Sequence, residues 1–91
     1  MLTVNWKINA VHDLEEIIDY IFIQNPEAAI NLEDEILNTA ESLADMPYSG
    51  RIGRVSGTRE RIVHPNYMII YQVLFDSIEI LNIVHTKKHY P

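Results

Sequence analysis

The chain of 91 residues carries seven Lys and Arg against thirteen Asp and Glu, a formal net charge of -6, with 47% hydrophobic residues and no cysteine. One domain spanning 1–91 with a two-layer core fits that length, burying roughly 60 to 65% of its unfolded surface, and an enclosed cavity of ordinary ligand size does not. The missing cysteine excludes disulfides, thiolate metal sites and a cysteine nucleophile, while the charge is lopsided: residues 1–46 hold Lys7 against ten acids, and residues 47–91 hold six cations against three acids.

The alternation of Leu2, Val4 and Trp6 with Thr3 and Asn5 predicts a short strand with one buried face. This opening lacks the apolar core of a signal peptide, and no apolar run approaches the roughly 20 residues of a membrane span, so a cytoplasmic protein without membrane contact is expected. Asn9 is a candidate cap for a helix running to about Ile23, with Asp13, Glu15 and Glu16 in its first turns and Leu14, Ile17, Ile18 and Ile21 at helical spacing. Asn25-Pro26-Glu27 is a stronger helix start, because Asn accepts free backbone N–H groups, Pro has none to satisfy, and Glu complements the dipole. The stripe Ala29, Leu32, Ile36, Ala40 and Leu43 carries this second helix to Met46, where Pro47 stops it. The two helices are expected to fold back as an antiparallel hairpin.

All three glycines fall within residues 47–57, which read as a loop. Strands follow at Thr58–Val63, Tyr67–Phe75 and Ile78–His85, separated by Pro65-Asn66 and Asp76-Ser77, and form a meander. The fold class is therefore α+β: β-α-α-β-β-β, an antiparallel sheet packed on a two-helix hairpin. The last two strands are apolar on both faces, whereas one helical layer covers one face, so a partner is expected on the other.

Chemistry-bearing residues are sparse. His12, His64, His85 and His89 lack the companions and spacing of a metal site, and Ser42, Ser49, Ser56 and Ser77 lack a nucleophile-elbow context. Glu15-Glu16 and Glu33-Asp34-Glu35 are neighbours on helices, so they diverge as solvated faces instead of converging as an acid/base pair. No metal, cofactor or small-molecule substrate is expected. What remains is a basic set: Arg51, Arg54, Arg59 and Arg61 around the loop and the strand after it, with Lys87, Lys88, His89 and Tyr90 after the last strand. In a meander His64, Tyr67, His85 and the tail share one end of the sheet. Arg61, Lys88, His85 or His89, and Tyr90 have the types needed for metal-free cleavage of a phosphodiester, which requires a base, cations for the phosphorane charge and an acid. The ordinary alternative is that the arginines tie a loop down and the tail is solvated. The acidic total itself opposes general nucleic-acid binding.

The element order, Trp6, Ala10 and Asp13-Leu14, Asn25-Pro26-Glu27-Ala28-Ala29, the loop Pro47-Tyr48-Ser49-Gly50-Arg51-Ile52-Gly53-Arg54, and above all Gly57-Thr58-Arg59-Glu60, Tyr67-Met68-Ile69-Ile70-Tyr71, Ile80-Leu81 and the ending from His85 to Pro91, together resemble the RelE/ParE superfamily of bacterial toxins, on its ParE side. The resemblance spans nearly the whole chain. It implies the toxin half of a type II toxin–antitoxin pair, wrapped and neutralised by the C-terminal segment of an antitoxin. It also implies one of two targets: DNA gyrase, poisoned by binding, or the ribosome, where RelE-like members cut messenger RNA with clustered Arg, Lys and Tyr or His. The RelE pattern usually has a basic residue where Met68 stands and arginine where Val63 stands, while Lys88 falls where a catalytic arginine is common and His89-Tyr90 is similar to the ending of some ribosome-dependent relatives. The gyrase expectation has no catalytic residues and places Arg51, Arg54, Arg59, Lys87 and Lys88 on the target; the alternative uses Arg61, His85, Lys88, His89 and Tyr90 as an endoribonuclease.

Overall fold

The computed structural model describes residues 2–88 and 90. The chain runs β1 (Thr3–Trp6), α1 (Ile8–Gln24), α2 (Pro26–Ser42), β2 (Arg51–Ile52), β3 (Arg59–His64), β4 (Tyr67–Val73) and β5 (Ser77–His85). These form one five-stranded sheet in the order β1-β5-β4-β3-β2, with the helical hairpin packed on one face. The expected order of long elements stands, with two refinements. The loop contributes a short strand of its own, β2, paired antiparallel to Glu60 and Arg59. The meander is antiparallel, but β1 lies parallel to β5, so the sheet is mixed.

Asn25 joins the helices from both sides. Its backbone N–H donates to the Ile21 carbonyl at 2.8 Å to close α1, and its Oδ1 accepts from the Ala28 N–H at 3.1 Å to open α2. α1 instead has Lys7 as its N-cap, two residues earlier than Asn9, and without a side-chain cap hydrogen bond. α2 ends at Ser42, and tighter turns through Asp45 bridge to Pro47, so the helix stops before Met46. Ala10, Ala29 and Ala40 are fully buried, small residues that let the helices approach each other and the sheet closely.

The core lies between hairpin and sheet and is built from Leu32, Ile36, Leu43, Ile69, Tyr71, Ile78, Ile80 and Ile83. β-bulges decide which face each strand shows. Ile70 pairs with Asn82 and Tyr71 with Ile80, leaving Leu81 as the extra residue, so Ile78 and Ile80 before it and Ile83 after it all point at the helices. Val63 is the corresponding extra residue in β3, and it too packs against the core. On the opposite face Met68 and Ile70 are also buried. That face is therefore partly covered by the chain itself: Arg51 reaches the Met68 Sδ, and Val55, Thr58 and Tyr90 stand around Ile70. Among the described residues no helix is long and apolar enough to cross a membrane.

Candidate functional site

The loop between α2 and β3 is pinned at Gly50. The buried Tyr71 hydroxyl donates to the Pro47 carbonyl at 2.8 Å and accepts from the Gly50 N–H at 2.9 Å. A Cβ at Gly50 would lie 2.6 Å from Tyr71 Oη and 2.7 Å from the Glu60 carbonyl oxygen, so glycine is required there by space. Arg59 completes the clamp: its guanidinium donates to the Gly50 carbonyl at 2.7 Å and lies 4.9 Å from the centre of the Tyr48 ring. The far part of the loop closes on itself through Gly53 N–H to Thr58 C=O at 2.8 Å and Thr58 N–H to Val55 C=O at 3.1 Å, and Gly57 supplies the positive φ of 84°.

This anchoring divides the candidate cations. Arg51 projects from β2 on the face away from the helices and pairs with Glu60 at 2.7 Å; its side chain is 58% exposed and that of Glu60 only 3%. Glu60 Oε2 is buried with no partner among the described residues, so Arg51 supplies the carboxylate's compensation. Arg54 lies 4.7 Å from the centre of the Tyr90 ring and is 3.5 Å from the Tyr90 carbonyl. Arg59 and Arg61 sit opposite Tyr71 and Ile69, on the helical side, and Arg61 donates to the Ile62 carbonyl at 2.8 Å. Lys87 and Lys88 are exposed. Arg59 is thus a fold-holding residue, whatever else it touches.

The expected gathering at one end of the sheet is realised in part. Tyr67 stands between His64 and His85, with ring centroids 6.2 and 5.4 Å away. Both imidazoles hold turns: His64 Nδ1 accepts from the Asn66 N–H and His85 Nδ1 from the Lys87 N–H, each at 3.1 Å. The tail then leaves this cluster. Thr86 ties it to the β3–β4 turn through the Pro65 and Asn66 carbonyls, and Lys88 and Tyr90 pass to the other face. The candidate endoribonuclease set is consequently split, with Arg61 and His85 on the helical side, and Lys88 and Tyr90 on the other. His89 lies outside the described residues.

Lys88 and Tyr90 border a groove of about 530 Å³ floored by Ile70, Leu81 and Val84. It extends over the half of β5 that β1 leaves unpaired, and there Asp13 of α1 takes the strand edge. Its Oδ2 accepts from the Ile83 N–H and the Asn82 Nδ2, each at 3.0 Å. Asp13, expected in the first turns of the helix, falls outside the first turn and works as an edge clamp. Its position three residues after Ala10 and four before Ile17, on the buried stripe, was the available signal. Tyr71 and Glu60 were likewise missed as anchors, because their partners are 24 and 9 residues distant.

Comparison with known proteins agrees with this architecture. Residues 4–90 match the ParE toxin of the type II toxin–antitoxin system, parDE. The chain is 35% identical over 89 residues to Y4kP of Sinorhizobium fredii, covering 97% of this chain and 92% of that protein. It is also 35% identical over 88 residues to toxin RelE2 of Caulobacter vibrioides, covering 97% and 99%. Its fold superposes on a chain of the chromosomal ParDE system from P. aeruginosa with a TM-score of 0.84, at 24% identity and 96% and 98% coverage. The chain belongs to the ParE toxin family of type II toxin–antitoxin systems.

Proposed function

We propose that this toxin acts in the cytoplasm by binding DNA gyrase, without catalytic residues of its own, and that a cognate antitoxin neutralises it. The observation that carries the reading is the division of Arg61 and His85 from Lys88 and Tyr90 by the sheet. General acid–base cleavage requires base, acid and charge-stabilising groups within hydrogen-bond reach of one reacting phosphate, and a set divided by a packed sheet does not meet that condition. The exposed Lys87 and Lys88 and the loop arginines suit contact with a protein surface. An antitoxin is favoured by the groove of about 530 Å³ floored by Ile70, Leu81 and Val84, an apolar surface that suits the apolar face of a partner segment. The P. aeruginosa relative of similar fold comes from a ParDE toxin–antitoxin system.

A second reading, ribosome-dependent cleavage of messenger RNA, rests on the grouping of Arg54, Lys88 and Tyr90 at that groove. Titration of the chain into a DNA supercoiling reaction with purified gyrase tests the first. Inhibition or trapped cleaved DNA, relieved by antitoxin, is expected; a folded chain without effect would refute it and turn attention to cleavage on ribosomes.

A further inference from the structure

The groove floored by Ile70, Leu81 and Val84 is one-sided in charge. Lys88 stands exposed at its border. Tyr90 borders it too, and the exposed Arg54 lies over that ring, 4.7 Å from its centre, with Nη1 3.5 Å from the Tyr90 carbonyl oxygen. Neither Lys88 nor Arg54 is ion-paired among the described residues, whose salt bridges join Lys7 to Glu79 and Arg51 to Glu60. The Tyr90 hydroxyl is buried with no hydrogen-bond partner among the described residues. The one acid of the lining, Asp13, is already engaged, its Oδ2 accepting from the Ile83 N–H and the Asn82 Nδ2. The side of the groove formed by the tail therefore offers two cations and a hydroxyl donor, with no carboxylate to meet them.

We infer that the antitoxin segment in this groove sets carboxylates against Lys88 and Arg54 beside apolar side chains on the floor, and that it neutralises the toxin by taking cations the target also needs, so that antitoxin and target exclude each other. The inference rests on the antitoxin and gyrase readings and adds the chemistry of the segment and the mode of neutralisation. The charge selects the occupant: unpaired cations at one border are complementary to carboxylates, and a carboxylate there also gives the Tyr90 hydroxyl an acceptor. The floor selects it as well. Ile70, Leu81 and Val84 call for apolar side chains, which a nucleic-acid backbone lacks, and the net charge of -6 repels a polyanion at long range. Exclusion follows from the shared residue, since one exposed Lys88 ammonium cannot be covered by two protein surfaces at once.

Titration calorimetry of purified cognate antitoxin into the full chain tests this, with Lys88→Glu compared against Lys7→Glu, the same charge reversal at β1. Both variants are expected to melt with the wild type. Lys88→Glu should weaken antitoxin binding at least about tenfold and flatten its dependence on salt, while Lys7→Glu stays within about twofold of wild type. Equal affinities for the two variants overturn the carboxylate contact. A third variant, Leu81→Glu, separates this from the groove itself: a folded Leu81→Glu chain that binds antitoxin as wild type does defeats the groove reading, whereas weakened binding there with Lys88→Glu unaffected defeats only the inference. For the exclusion, immobilised gyrase should capture the free chain and not the preformed toxin–antitoxin complex. Capture of a ternary complex overturns it, and a free chain that gyrase does not capture defeats the gyrase reading and leaves the Lys88 result standing by itself.

Discussion

The loop of residues 47–58 and the tail after His85 both carry cations onto the sheet, but they are held by different kinds of contact. The loop is fixed by buried and half-buried hydrogen bonds to Tyr71 and Arg59, a closed turn at Gly53–Thr58, and an ion pair whose acid is buried. The tail is held at the surface, by Thr86 on the β3–β4 turn and by the Arg54–Tyr90 stacking contact. The lesson is that a basic residue in this chain is not by that fact a target contact. Arg51 and Arg59 stabilise the fold, whereas Lys87 and Lys88 can change without structural cost.

Substitutions at the loop anchor test this difference most severely. Gly50→Ala places a methyl group against Tyr71 Oη and the Glu60 carbonyl, and backbone on one side cannot yield, so a loss of about 3 kcal/mol in urea unfolding is expected. Tyr71→Phe keeps the ring but leaves the Gly50 N–H and Pro47 carbonyl without their partner; about 2 kcal/mol should be lost. A smaller effect belongs to Arg51→Ala, about 1 to 2 kcal/mol, because the exposed arginine leaves behind a buried Glu60 carboxylate. The same change in a Glu60→Gln background should cost measurably less, and equal costs in both backgrounds would show that the pair is uncoupled. At the tail, Lys87→Glu with Lys88→Glu should alter stability by less than about 0.5 kcal/mol while weakening toxicity. A tail variant that unfolds, or a Gly50→Ala chain of wild-type stability, would remove the contrast.

Much of the fold was legible in local chemistry. Asn25-Pro26 announces a helix end and a helix start in two residues, Pro47 closes the helical region, and the β-branched runs after Thr58 mark the meander. What escaped was decided by distant partners. Arg51-Ile52 has no strand signature of its own and becomes β2 because Glu60 and Arg59 offer an edge. The parallel pairing of β1 joins Thr3 to Ser77, and no local pattern encodes it. Alternation in β5 misled because the bulge at Leu81 reverses the faces, which is why both seemed apolar. For the site, the residue types were visible in the sequence, but the distribution of Arg59 and Arg61 to one face and Arg51, Arg54, Lys88 and Tyr90 to the other depends on register.

The proposal that this toxin binds a protein target through exposed surface cations, and does no chemistry, makes opposite predictions for gyrase and for the ribosome. Its most direct test is one preparation of the folded chain assayed side by side, on supercoiling by purified gyrase and on messenger RNA cleavage in translating ribosomes, each with and without antitoxin and with the Lys87→Glu, Lys88→Glu variant. Antitoxin-relieved inhibition of gyrase, weakened in the variant, with intact message is the predicted result. Cleaved message with unimpaired gyrase would contradict it.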